Sequence, residues 1–266
     1  MTILDTILAT KRDEVAALRN VVGPAFEQMR RTGSNFASLE PRDFAAALRR
    51  PAGAPVRVLA EIKRASPSAG PIRPGADPVA IARDYAGAGA AAISVLTDKT
   101  YFDGDIEFVM PVRAATKVPV LRKDFIIESI QLHEARMHGA DAALLIAAAL
   151  EPLHLQGLLR ECRNYQLEPL VEVHSLAELD SVLSAPKPPT VIGVNHRDLA
   201  TFTIDMTLTE QIAKRVPANT VLVAESGIRS AADVRRMGDA GAHAVLVGEH
   251  LMRAPSPGAA LAELLR

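Results

Sequence analysis

The sequence predicts an α/β protein: a (β/α)8 TIM barrel with an N-terminal helical extension. Three observations carry this expectation. From about residue 56 onward, eight short β-branched runs alternate with longer segments of helical period. The runs are apolar at successive positions, as expected of strands covered by helices on one side and by a packed interior on the other. The eight units occupy roughly 210 residues, which suits a closed barrel better than a doubly wound sheet with its fewer units and Gly-rich first turn.

The strand candidates, in order, are "VRVLAEI", "AAISVL", "VPVLR", "AALLIA", "PLVEV", "TVIGVN", "TVLVAE" and "AVLVG". Helix candidates follow them at "DPVAIARDYAGAG", "DIEFVMPVRAAT", "ESIQLHEARMHG", "EPLHLQGLLRECRNY", "SLAELDSVLS", "TLTEQIAKRV", "SAADVRRMGDAG" and "SPGAALAELLR". Residues 1–50 add helical material, "TILDTILATKRDEVAALRN" and "PRDFAAALRR", joined to the first strand by the proline-rich "RRPAGAPVR". This segment has too few apolar residues for a core of its own, so residues 1–266 are expected to form one barrel domain with residues 1–50 packed on it.

Composition narrows the function. With 30 Lys+Arg against 31 Asp+Glu the net charge is −1, so no polybasic surface for nucleic acid or anionic membrane is expected, and the partner is a small molecule. The aromatic content of 4% also argues against base-stacking platforms. A single cysteine, Cys162, cannot form an internal disulfide and reads as a small buried thiol. The N-terminus becomes charged too soon for a signal-peptide core, and no run reaches the roughly 18 apolar residues of a membrane span. These features predict a cytoplasmic protein.

Functional groups of such barrels project from the C-terminal ends of the strands. Glu61, Lys63 and Ser66 end the first strand in "LAEIKRASPSAG". Lys123 and Asp124 follow the third, Glu172 lies on the fifth, Asn195 and Arg197 end the sixth, and Glu225, Ser226 and Gly227 end the seventh. Side chains alternate along a strand, so Glu61 and Lys63 point the same way, into the barrel mouth. For any one residue a buried salt bridge is an equal alternative. For the whole set it is weaker, because burying many charges without a function is costly.

The segments "AESGI" and "LVGEHL" both place glycine where a strand gives way to a helix. Backbone N–H groups there can approach an anion, and the loops after strands seven and eight commonly hold phosphate in barrels. Ordinary turn glycine explains either alone; both in consecutive units point to a phosphorylated substrate.

Two further patterns do not fit their usual readings. "GAGAAA" closes a helix and precedes a strand, the reverse of a dinucleotide-binding unit, and His133 and His138 in "HEARMH" are five apart and do not share a helix face as a zinc pair would. No metal or cofactor is expected. His174, His196, His243 and His250 show no ligand spacing; near strand ends they could touch substrate, but solvated or hydrogen-bonded structural roles are the favoured reading.

Taken together, "LAEIKRASPSAGPI", "LRKDFII", "ALLIAAAL", "PLVEVHS", "IGVNHRDLATF", "AESGI" and "VLVGEHLM" resemble the indole-3-glycerol-phosphate synthase family in its monofunctional form, in order from about residue 5 to the C-terminus. The resemblance implies a carboxy-lyase of tryptophan biosynthesis. Its substrate would be 1-(2-carboxyphenylamino)-1-deoxyribulose 5-phosphate, and its products indole-3-glycerol phosphate, carbon dioxide and water. By this resemblance Lys123 protonates the ketone oxygen, and a lysine near other cations is expected to have a lowered pKa. Glu172 is the second acid/base group, and Glu61 either orients Lys123 or joins the same relay. Lys63 contacts a substrate anion or acts as an acid in dehydration. Ser66, Asn195 and Arg197 anchor the substrate, with Glu225 beside them, and Phe102 and Phe125 pack around its ring. Ser226, Gly227, Gly248 and Glu249 fall on the phosphate-loop positions, where the Glu249 carboxylate is expected to turn away and leave its backbone N–H to the ligand. Ala69, His196 and His250 depart from the residues usual at their positions.

Two other readings are open to the sequence. One is another phosphate-binding barrel enzyme, such as the isomerase one step earlier; that chemistry wants a cysteine or aspartate pair, and Cys162 is not at a strand end. The other is a barrel that only binds a phosphorylated ligand or a partner subunit.

Overall fold

Eight parallel strands close on themselves in a computed structural model that describes residues 2–32, 39–198, 201 and 203–266. They are β1 (Arg57–Ile62), β2 (Ala92–Leu96), β3 (Val120–Lys123), β4 (Ala142–Ile146), β5 (Glu168–Val173), β6 (Val191–Asn195), β7 (Val221–Glu225) and β8 (Ala244–Val247). Each pairs with the next in the chain, and β8 pairs with β1 through Leu59 opposite Leu246, which closes the barrel. All eight expected strands are present.

Each strand packs in two directions. On β1, Val58, Ala60 and Ile62 turn outward to the helices, whereas Leu59 turns inward to meet Leu121, Leu144, Leu170, Val223 and Leu246. Both faces are therefore dry, which is why the strands read as continuous apolar runs.

Helices α1 (Ile3–Thr32) and α2 (Phe44–Leu48) precede the barrel. The Asp43 side chain caps α2 by accepting from the Ala46 N–H, and Phe44 and Leu48 join the interior cluster and plug its N-terminal end. The outer layer comprises α3 (Pro78–Gly87), α4 (Lys99–Phe102), α5 (Val109–Ala115), α6 (Ser129–Met137), α7 (Pro152–Asn164), α8 (Leu176–Leu183), α9 (Leu208–Ala213), α10 (Ala231–Asp239), α11 (Glu249–Arg253) and α12 (Pro257–Leu264). Start signals match the sequence: Pro78 opens α3 behind the Asp77 cap, and Ser175, Ser230 and Ser256 cap α8, α10 and α12.

Two local elements were not legible in advance. Helix α1 runs on past residue 20 with Pro24 inside it, because Leu18, Val22 and Phe26 pack against the outer core. The turn after β1 is a small hairpin, Ala65–Ser66 against Gly70–Pro71, with Gly70 at φ +63°.

Helix α1 is fastened by charge as well as by apolar contact. Lys11, 2% exposed, lies 3.0 Å from Asp98 and 2.9 Å from Asp124, the residue after β3. Asp124 also accepts from Thr97 Oγ1 at 2.6 Å and pairs with Arg122 at 3.1 Å. Burial opposes its charge, but Arg122 and Lys11 prevail and lower its pKa to about 2.

Removing Lys11 would leave the buried Asp98 carboxylate without its cation and take one of two cations from Asp124. Lys11→Ala is expected to lower unfolding free energy by about 3–5 kcal/mol in urea titrations. Because the Asp124 pKa is depressed on folding, its share of stability is present above its unfolded value near 4 and lost as pH falls through about 2. Acid unfolding followed by circular dichroism should show that loss in the native chain and a smaller one in Asp124→Asn.

Candidate active site

Strand alternation aims the charged residues. Leu59 faces inward, so Glu61 and Lys63 do as well; Leu121 brings Lys123, Leu170 brings Glu172, Val223 brings Glu225, and Val191 brings Asn195. These residues stand one step above the last apolar layer, at the C-terminal mouth of the barrel.

There the Lys123 ammonium lies 3.5 Å from Glu172 Oε2, 3.9 Å from Glu225 Oε2 and 4.0 Å from Glu61 Oε2. Lys63 Nζ reaches Glu61 Oε1 at 2.8 Å. This geometry reverses one expectation: the pKa of Lys123 is not lowered by neighbouring cations. Burial pulls it down, but Glu172, Glu225 and Glu61 outweigh burial and raise it, so the ammonium is firmly charged.

The three carboxylates are not equivalent. Burial opposes the charge of Glu61, yet Lys63 and Lys123 hold its pKa below the usual range. Glu172 is likewise held down against burial, by Lys123 and His174. Glu225 goes the other way: burial and the neighbouring Glu172 charge raise its pKa well above the ordinary value, and Lys123 only partly opposes them. Two crowded carboxyls with one cation between them favour one charge and one proton.

Two glycines make room for this cluster. A Cβ on Gly193 would come within 2.1 Å of Glu225 Oε1, and one on Gly248 within 2.4 Å of Glu61 Oε1. The glycine ending β8, expected for phosphate approach, is thus also required by the Glu61 side chain.

Asn195 ties the cluster to the next loop. Its Nδ2 donates to Glu172 Oε1 at 3.2 Å, and its Oδ1 accepts from the Ser226 hydroxyl at 2.8 Å and from the Arg197 N–H at 3.0 Å. Ser226, with φ +66°, and Gly227, with φ +83°, form a left-handed turn at the end of β7. His196 is buried and bridges the Ser226 carbonyl and Thr209 Oγ1, a structural role as expected.

His174 is different. Sequence reasoning set it among structural histidines, but its Nε2 lies 3.2 Å from Glu172 Oε1 and its Nδ1 3.3 Å from Glu178 Oε2. The available signal was the spacing in "EVHSLAE", where strand alternation and one helical turn put a carboxylate on each side of the ring.

A cavity of about 500 Å³ opens above the cluster. Ile3, Leu4 and Ile7 of α1 form part of its wall, as do the hairpin residues Ser66, Pro67 and Ser68. Phe102 and Phe125 line it with ring centroids 6.0 Å apart. Arg197, Ser226, Gly227, Gly248 and Glu249 border the opposite rim. The Glu249 carboxylate accepts from Arg253 Nε at 2.9 Å, along α11. Every candidate residue named from the sequence therefore borders this one cavity; in the "IGVNHRDLATF" segment, residues 199, 200 and 202 lie outside the described residues.

The family model for indole-3-glycerol phosphate synthase matches residues 4–264. The indole-3-glycerol phosphate synthase of Chlorobium chlorochromatii (strain CaD3) is 47% identical over 253 residues, covering 94% of this chain and 95% of its own. That of Geobacillus thermodenitrificans (strain NG80-2) is 48% identical over 250 residues, covering 94% and 92%. Among solved structures, a 3-hexulose-6-phosphate synthase superposes with a TM-score of 0.63 at 15% identity, covering 79% of this chain and 98% of that one, a likeness of barrel architecture. With the family model spanning nearly every residue and relatives near half identity along the whole length, the chain belongs to the indole-3-glycerol phosphate synthase family.

Proposed function

We propose that the chain closes the indole ring of 1-(2-carboxyphenylamino)-1-deoxyribulose 5-phosphate, releasing carbon dioxide and water to give indole-3-glycerol phosphate. The observation that carries this reading is the ammonium of Lys123 held among three glutamates at the floor of a cavity walled by Phe102 and Phe125.

Ring closure joins the aromatic carbon bearing the carboxylate to the ketone carbon, and negative charge develops on the ketone oxygen. A charged lysine suits that step better than a neutral one: it stabilises the developing alkoxide, then gives it a proton, since the alkoxide is the stronger base. Expulsion of carbon dioxide restores aromaticity. Dehydration then needs an acid at the departing hydroxyl and a base for the neighbouring C–H. Ionised Glu172 suits the base, and Lys63, paired with Glu61, suits the acid. The neutral carboxyl of Glu225 can return a proton to the cluster.

Two anionic ends of the substrate need anchors. Lys63 and Arg197 suit the carboxylate, with Ser66 and Asn195 as hydrogen-bond partners. The backbone around Ser226–Gly227 and Gly248–Glu249 suits the phosphate; the Glu249 side chain is engaged by Arg253, which leaves its N–H to the ligand. The flanking α1 residues and the Lys11 clamp support reading the chain as one barrel domain with residues 1–50 as an extension that completes the site. Cytoplasmic residence fits the buried, free Cys162 and a described structure with no helix long and apolar enough to cross a membrane. The isomerase alternative is not favoured, because Cys162 lies buried in α7, away from the mouth.

Purified protein given the carboxyphenylamino deoxyribulose phosphate, without added metal, is expected to generate indole fluorescence. Lys123→Ala should lower kcat at least about 10³-fold, and Glu172→Gln about 10²–10⁴-fold. Turnover surviving Lys123→Ala would remove the assigned acid.

Gly193→Ala offers a different test, since its methyl must displace the Glu225 carboxyl. It is expected to cut kcat by about tenfold or more while thermal unfolding shows a folded barrel; wild-type rates would mean that the position of Glu225 is immaterial.

A further inference from the structure

His174 has a carboxylate at each ring nitrogen. Nδ1 is hydrogen-bonded to Glu178, whereas Nε2 is buried without a hydrogen-bond partner and lies at ion-pair distance from Glu172. A bare ring lone pair 3.2 Å from a carboxylate oxygen would be repelled, so both contacts are attractive only when both nitrogens carry protons. Glu178 is surrounded by donors: its Oε2 also accepts from the His174 backbone N–H at 2.9 Å, and its Oε1 from the Ser175 hydroxyl at 3.2 Å. It is therefore a fixed anion at the start of α8, behind the ring.

On the other side, Glu172 Oε1 accepts from Asn195 Nδ2 and lies at ion-pair distance, 3.2 Å, from His174 Nε2, whereas Oε2 has no hydrogen-bond partner and faces Lys123 at 3.5 Å. One oxygen is tied down, and the other, buried, is left to the Lys123 ammonium.

We propose that His174, clamped between Glu172 and Glu178 as an imidazolium, is a positioning residue: it keeps Glu172 ionised with Oε2 turned to Lys123, so that Glu172 begins each turnover as the base and Glu225 carries the proton. The inference rests on the reaction proposed above and assigns the roles that the two neighbouring carboxyls would otherwise share.

The electrostatics agree in sign. Burial opposes the imidazolium, but the carboxylates of Glu172 and Glu178 raise the His174 pKa to about 10, so the charge is present at neutral pH and lost as pH rises through that value. Among the described residues, the charged groups within ion-pair distance of His174 are these two glutamates. Beyond Glu172 stand Lys123 from β3 and Glu225 from β7.

Two readouts test the clamp in the full chain. In ¹⁵N-histidine NMR, His174 is expected to read as imidazolium through pH 8 and to titrate at lower pH in Glu178→Gln. In the ring-closure assay, His174→Gln is expected to lower kcat at least about tenfold with KM within about twofold. Its acidic limb of kcat/KM should move up by about one pH unit or more, because Glu172 loses the cation that keeps it ionised; Glu178→Gln should move it the same way by less. A neutral His174 at pH 7.5, or an acidic limb unmoved in both variants, overturns the proposal. Should the native protein not turn over this substrate, the proposed reaction fails, while the NMR titration in native and Glu178→Gln protein still decides the clamp without any assay.

Discussion

The attraction between one half-buried ammonium and the three buried glutamates around it organises the mouth of this barrel. Lys123 at 3.5–4.0 Å from Glu172, Glu225 and Glu61 makes it possible to hold several ionisable groups largely out of water at the floor of the cavity. Removing such groups from solvent is costly, and the cost is offset only where charges and hydrogen bonds match. Here matching is incomplete by one carboxylate, and the excess is met by a proton on Glu225.

That imbalance is chemically useful. A cluster with a firmly charged cation, an anchored carboxylate and a neutral carboxyl can stabilise an alkoxide, accept a proton and supply one, without waiting on bulk water. Gly193 and Gly248 show how closely the backbone serves the arrangement, since each leaves the volume that a carboxyl occupies.

The N-terminal helix belongs to the same construction. Lys11 binds Asp124, the residue next to Lys123, so the helix whose Ile3, Leu4 and Ile7 wall the cavity is locked to the strand that carries the central ammonium. The wall and the floor of the site are thereby held in one register.

Much of this was legible in the sequence because it depends on local periodicity. Strand number and order, the inward aim of Glu61 and Lys63, the capped helix starts and the convergence of candidates at the strand ends all follow from alternation and chain order. Charge states were not legible, since they depend on which side chains meet across the closed barrel. Lys123 was expected to have a lowered pKa, and three carboxylates raise it; His174 was read by preference as a structural histidine, and it stands between Glu172 and Glu178. The extension of α1 past Pro24 likewise came from packing that overrode a local breaker. Periodicity is written residue by residue along the chain, whereas Coulomb energy and desolvation are set by distances between residues far apart in it, and those exist only once the barrel has closed.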